Sequence, residues 1–243
     1  NYLAGKSVSG HSDNRNVNIS ESQENSNAPG RYTMTVTSDK AGSAILTTKV
    51  GDITLSKSRT LTVKGDTDSW TLSAVSPNKT TLVAGDTKGV TYSATVTDTQ
   101  GNPLTNVVVS WQLRGQAESY EPTSRTDENG VATTTVKSHT AGQLQMTAYL
   151  DSDNHMQADN VAVVAGEIKN AAFGADKTSI GSDGKDTVKL TASLEDSYGN
   201  PVTGKTVAIK GADLLAGFKL SQVQDQQNGH YVATGTATTK GSV

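Results

Sequence analysis

The feature that most constrains this chain is an internal repeat with a period close to 99 residues. Thr97-Asp98-Thr99-Gln100-Gly101-Asn102-Pro103 recurs as Glu195-Asp196-Ser197-Tyr198-Gly199-Asn200-Pro201, with Asp, Gly, Asn and Pro returning 98 residues later. A second landmark occurs three times, as Gly30 and Gly42, Gly130 and Gly142, and Gly229 and Gly241. The glycines of each pair stand 12 residues apart, and successive pairs are separated by 100 and 99 residues. A repeat of this length is a small domain in its own right. In 243 residues it leaves room for two whole copies, or for one whole copy and parts of two others. Composition agrees: 33% hydrophobic and 5% aromatic residues suit several thin cores better than one large one.

Within the unit the hydrophobic period is two, as a half-buried strand requires. Val90, Tyr92, Ala94 and Val96 alternate with Thr91, Ser93, Thr95 and Thr97. After the Gly-Asn-Pro turn, Val107, Val109, Trp111 and Leu113 alternate with Val108, Ser110 and Gln112. Ala132, Thr134 and Val136 follow Asn129-Gly130; Leu144, Met146, Ala148 and Leu150 form the next long strand, and Val161 and Val163 the last. Thr and Val favour strands, and Gly, Asn and Asp supply turns. About seven short strands, with turn signals every 8–12 residues, predict a two-sheet sandwich. The fold class is therefore all-β, with tandem immunoglobulin-like β-sandwiches in an elongated array. The predicted core of the middle copy is Trp111, Val96, Val109, Val136, Leu144 and Met146, with Trp111 in the place of the buried Trp of such sandwiches.

The repeat divides the chain into three. Residues 1–65 are the C-terminal part of a first repeat, 66–166 a complete second repeat, and 167–243 a third repeat lacking its last strands. The first copy keeps only its second half, so Tyr32, Met34 and Val36, lacking the strands that should cover them, are expected at an open edge or against a borrowed strand. Val17-Asn18-Ile19-Ser20 resembles Phe218-Lys219-Leu220-Ser221 of the third copy. Linkers near Lys64–Ser69 and Ala165–Asn170 are short, which predicts neighbouring sandwiches that touch and bend little.

Several functional classes fall away. A net charge of −3 without a Lys/Arg cluster offers nothing to a phosphate backbone or an anionic membrane surface, so nucleic acid is not an expected partner. With no cysteine there is no disulfide framework, thiolate zinc site or thiol chemistry. No run of about 20 apolar residues and no signal peptide is visible, so export signal and membrane anchor are expected outside this sequence.

Candidate sites reduce to structural readings. His11, His139, His155 and His230 lack metal-ligand spacing and are read as solvated loop residues. Gly181-Ser182-Asp183-Gly184-Lys185-Asp186 lacks the glycine spacing and the Ser/Thr of a phosphate loop, and reads as a hairpin turn. Asp151, Asp153 and Asp159, like Asp66 and Asp68, could offer oxygen to calcium, but neither group has the Gly and bidentate Glu of a calcium loop. Lys64-Gly65-Asp66 is similar to a short integrin-recognition tripeptide and is explained by the linker alone. No Gly-x-Ser-x-Gly elbow is present. No catalytic residue, cofactor or metal is predicted.

Thr126-Asp127-Glu128-Asn129-Gly130-Val131-Ala132 through Ser138-His139-Thr140-Ala141-Gly142 resembles the signature of bacterial Ig-like domains of the intimin/invasin family. The Asp98–Pro103 and Asp196–Pro201 segments resemble the family's interstrand turn. The resemblance covers nearly the whole chain. It implies the extracellular stalk of an adhesin anchored in a bacterial outer membrane by a β-barrel outside this sequence. It also implies a host cell-surface receptor or extracellular-matrix component as partner. A spacer or glycan-binding module of a secreted polysaccharide-active protein is the alternative. A row of exposed aromatics would favour that alternative, and Tyr92 and Tyr149 alternate with aliphatic residues or Thr instead.

Overall fold

The computed structural model describes residues 4–211 and 215–242; the outer bounds expected for the first and third repeats, Asn1 and Val243, lie outside the described residues. Every regular element among them is a β-strand. The first repeat holds β1 (Val8–Ser12), β2 (Val17–Ile19), β3 (Gln23–Glu24), β4 (Tyr32–Thr33), β5 (Val36–Ser38), β6 (Gly42–Val50), β7 (Ile53–Thr54) and β8 (Arg59–Val63). The second holds β9 (Thr71–Pro77), β10 (Thr81–Val83), β11 (Val90–Thr97), β12 (Val108–Arg114), β13 (Thr123–Arg125), β14 (Val131–Val136), β15 (Gly142–Tyr149), β16 (His155–Gln157) and β17 (Val161–Val164). The third holds β18 (Asn170–Ala175), β19 (Thr187–Glu195), β20 (Phe218–Leu220), β21 (Gln224–Asp225) and β22 (His230–Ala237).

The middle repeat is a sandwich of two sheets, one ordered β14-β11-β9 and the other β10-β17-β15-β12-β13. All their pairings are antiparallel except that of β10 with β17, which sets Leu82 beside Val163 in parallel. The alternation along β11 sorts its side chains: Val90, Tyr92, Ala94 and Val96 have no exposed surface. Val109, Val136 and Met146 share that state, Leu144 is 1% exposed and Trp111 4%. These residues form one core between the sheets. Trp111 keeps its polar edge satisfied there, because its indole Nε1 donates to Ser124 Oγ at 2.9 Å.

The flanking repeats each reproduce part of this pattern. In the first, β6 pairs with β1, β7 and β8 as β15 pairs with β12, β16 and β17. The first copy therefore holds more than its expected second half, since β1 is a counterpart of β12. Register places Gly10 beside Thr48 where Trp111 stands beside Ala148. No aromatic fits at Gly10: a Cβ there would lie 2.7 Å from Ile19 Cγ2 and 3.0 Å from Met34 Sδ. Met34 and its neighbours Tyr32 and Val36 are thus half-buried beneath the β1–β2 segment, not left at an open edge. In the third repeat β18-β19-β22 reproduces β9-β11-β14, while residues 205–210, which correspond to β12, form no strand. Phe173 pairs with Ala192 as Val75 pairs with Ala94. Val75 packs on the core, whereas Phe173 is 61% exposed, with no second sheet over it among the described residues.

Candidate functional site: the joints between repeats

The repeated turn of the sequence does more than join two strands. Asp98 opens it, and Oδ1 of its carboxylate accepts the backbone N–H groups of Gln100 at 2.9 Å and Asn102 at 2.7 Å. Its Oδ2 accepts Asn102 Nδ2 at 2.8 Å and the linker N–H of Asp66 at 3.1 Å. A carboxylate has about four acceptor positions, and here all are used. Gly101 makes the turn possible, since its φ of 78° is strained for any residue bearing a Cβ.

Asn102 then reaches into the preceding repeat. Its Oδ1 accepts the Ala41 N–H at 2.8 Å, and its Nδ2 donates to the Asp39 carbonyl at 3.1 Å. The receiving loop is shaped by Ser38, whose Oγ accepts the Lys40 N–H at 3.2 Å and donates to the Lys40 carbonyl at 2.9 Å. Lys40 adds a bond of its own, from Nζ to the Gln100 carbonyl at 2.6 Å.

The second joint repeats this design. Asp196 Oδ1 accepts the N–H groups of Tyr198 at 2.8 Å and Asn200 at 2.9 Å, and its Oδ2 accepts Asn200 Nδ2 at 2.8 Å and the Gly166 N–H at 2.9 Å. Asn200 takes the Ala141 N–H at 2.8 Å and gives a bond to the His139 carbonyl at 2.7 Å. Asp98, Asn102, Asp196 and Asn200 are all buried, which polar side chains tolerate when every group is paired.

The electrostatics follow from the geometry. Burial pushes the Asp98 carboxyl up, but the bonds from Asn102, Asp66 and Gln100 outweigh it and hold the group down at about 2. Asp196 is lowered by the same contest, in which Asn200, Gly166 and Tyr198 prevail over burial.

Other sequence candidates take different places. His11, His155 and His230 lie in strands, not in loops, and His155 stacks on Tyr149 at 5.1 Å. His139 does lie in a loop with its side chain 41% exposed, and it stands in the second joint with its ring on Tyr198. Asp183 caps the Gly181–Asp186 turn by accepting the Lys185 and Asp186 N–H groups. Asp151 likewise accepts the N–H groups of Asp153 and Asn154 within its own turn. In Lys64-Gly65-Asp66, the Asp66 carboxylate is turned into the linker, where it takes the Asp68 N–H and the Ser69 hydroxyl.

The joined domains match known models. Residues 72–164 match the bacterial Ig-like domain (group 1), and residues 167–243 match invasin domain 3. The chain belongs to the intimin/invasin family. Within that family it is 28% identical over 188 residues to the inverse autotransporter adhesin YeeJ of Escherichia coli K12, covering 76% of this chain and 8% of that protein. It is 34% identical over 138 residues to intimin of Escherichia coli O157:H7, covering 54% of this chain and 14% of intimin. The chain thus spans a small part of either relative. Among solved structures, the Escherichia coli adhesin FdeC superposes with a TM-score of 0.65 at 24% identity, over 99% of this chain and 81% of that one. Invasin, an integrin-binding protein, superposes with a TM-score of 0.54 at 19% identity, over 98% of this chain and 48% of that one. These two likenesses show the shared fold.

Proposed function

We propose that this chain is an extracellular stalk segment of an outer-membrane-anchored bacterial adhesin, and that it serves attachment by reach, not by chemistry. The observation that supports this reading is the recurrence of one buried hydrogen-bonded latch at both joints. A flexible string of domains needs no such latch, whereas a spacer that keeps its extension does. The relatives are adhesins, which favours the stalk over a module of a polysaccharide-active protein. No residue is assigned a catalytic role. The partner of the whole adhesin is a host cell-surface or matrix component, and the anchor is a barrel beyond these repeats. Small-angle scattering tests the mechanical part. A compact globule of this length has a radius of gyration near ~18 Å, while repeats stacked end to end give roughly 30 Å. A value close to the globule overturns the stalk reading.

A further inference from the structure

The two joints share the latch but differ in what surrounds it. In the second, the Tyr198 ring lies 4.2 Å from the His139 imidazole with only 12° between their planes. The same ring also fills the niche above Gly85, where a Cβ would come within 2.4 Å of Tyr198 Cε2. Gly85 and His139 belong to two loops of the second repeat, tied together by the Gly85 N–H to Ser138 carbonyl bond at 2.9 Å, so a side chain of the third repeat is seated on one joined surface. Glu118 steadies it, with its Oε2 3.2 Å from His139 Nε2. In the first joint the position of Tyr198 is held by Gln100, whose backbone carbonyl takes a single bond from the flexible Lys40. Two hydrogen bonds from one Asn fix a contact point but leave rotation about it soft. A ring stacked on His139 and seated against Gly85 opposes that rotation.

We propose that Tyr198 is the orientation-determining residue of the second joint, so that repeats two and three move as one body while the first repeat pivots on its latch. This inference rests on the stalk reading and adds a built-in position of bending to it.

Spin-label distance measurements on the whole chain test it, and the absence of cysteine makes site-specific labelling direct. Labels at the exposed positions Lys57→Cys and Thr133→Cys span the first joint, and labels at Thr133→Cys and Lys219→Cys span the second. The second distribution should be the narrower. Tyr198→Ala should broaden it towards the width of the first distribution, since the latch alone then holds the joint, and should leave the first unchanged. Tyr198 is 49% exposed, so its loss leaves the fold intact, and circular dichroism checks this. Equal widths in the wild type, or no broadening in Tyr198→Ala, would overturn the proposal. Asn200→Ala separates the two readings: if it too is silent, the latch itself fails, whereas silence of Tyr198→Ala alone sinks only the role of the ring.

Discussion

Asp98 grips Asn102 twice, taking its backbone N–H at 2.7 Å and its side-chain Nδ2 at 2.8 Å. That double hold fixes the amide in one orientation, with Oδ1 aimed at the Ala41 N–H and Nδ2 at the Asp39 carbonyl. The turn, the linker and the neighbouring repeat therefore converge on one carboxylate, and its loss should be felt in all three.

Asn102→Ala should uncouple the first joint while the middle sandwich stays folded. It removes both cross-joint bonds and leaves a backbone donor and acceptor without partners, a loss of about 1–3 kcal/mol. Calorimetry should show the first repeat melting at lower temperature, with the transition of the second repeat shifted less. A single unshifted transition would show that the joint contributes nothing to stability.

Acid should act at the same place. The Asp98 carboxyl is held at about 2, below the usual carboxylate value near ~3.9. A depressed value means that stability is present above the unfolded-state value and is lost as pH falls through the folded one. The joints should thus be intact at pH 5 and weaken between roughly pH 4 and 2. Asp98→Asn should reproduce the effect at neutral pH, because an amide nitrogen would confront the donors now held by Oδ2. Scattering at stepwise lower pH, with the variant at pH 7 as reference, checks both statements.

The middle core depends on its indole. Trp111 is 4% exposed and packed between two sheets that no disulfide ties together, so Trp111→Ala should cost about 3–5 kcal/mol in urea unfolding. Ser124→Ala, which leaves only the indole N–H unpaired, should cost about 1 kcal/mol. A loss below about 1 kcal/mol for Trp111→Ala would contradict the packing.

Tyr92 runs the other way. Its hydroxyl is buried with no hydrogen-bond partner among the described residues, and burial pushes its titration up to about 12. Removing a stranded hydroxyl relieves a desolvation penalty, so Tyr92→Phe should be neutral or stabilising by up to about 1 kcal/mol. Because the folded-state value is raised, wild-type stability should decline as pH rises from 10 towards 12, and the variant should lose this decline. Thermal melts across that range compare the two.

The strands were legible wherever burial imposed period two. Val90 to Val96 and Leu144 to Ala148 alternate cleanly because one face of each meets a core. The short β1 was not, since Gly10 stands where the pattern asks for a large apolar residue and gives no signal. Nor were the joints. Asp98 and Asn102 carry the marks of an ordinary turn, and their cross-joint partners are backbone groups more than 60 residues upstream. Backbone atoms leave no trace in composition. The stacking of His139 was illegible for a related reason: its ring meets Tyr198 of another repeat, and no local pattern links the two. A sign was nonetheless available, in that Asp, Gly and Asn return together in the turn while Thr99 and Gln100 become Ser197 and Tyr198.

The receiving side of each latch is a carbonyl and an N–H, at Asp39 and Ala41 in one joint and at His139 and Ala141 in the other. Any residue supplies those atoms, save proline at the donor position. A repeat gained by gene duplication, or shuffled from elsewhere in the array, therefore meets its new neighbour through a contact already compatible with it. Copy number can drift without redesign of any interface, so that an adhesin of this build can lengthen or shorten in a single recombination event and remain mechanically continuous.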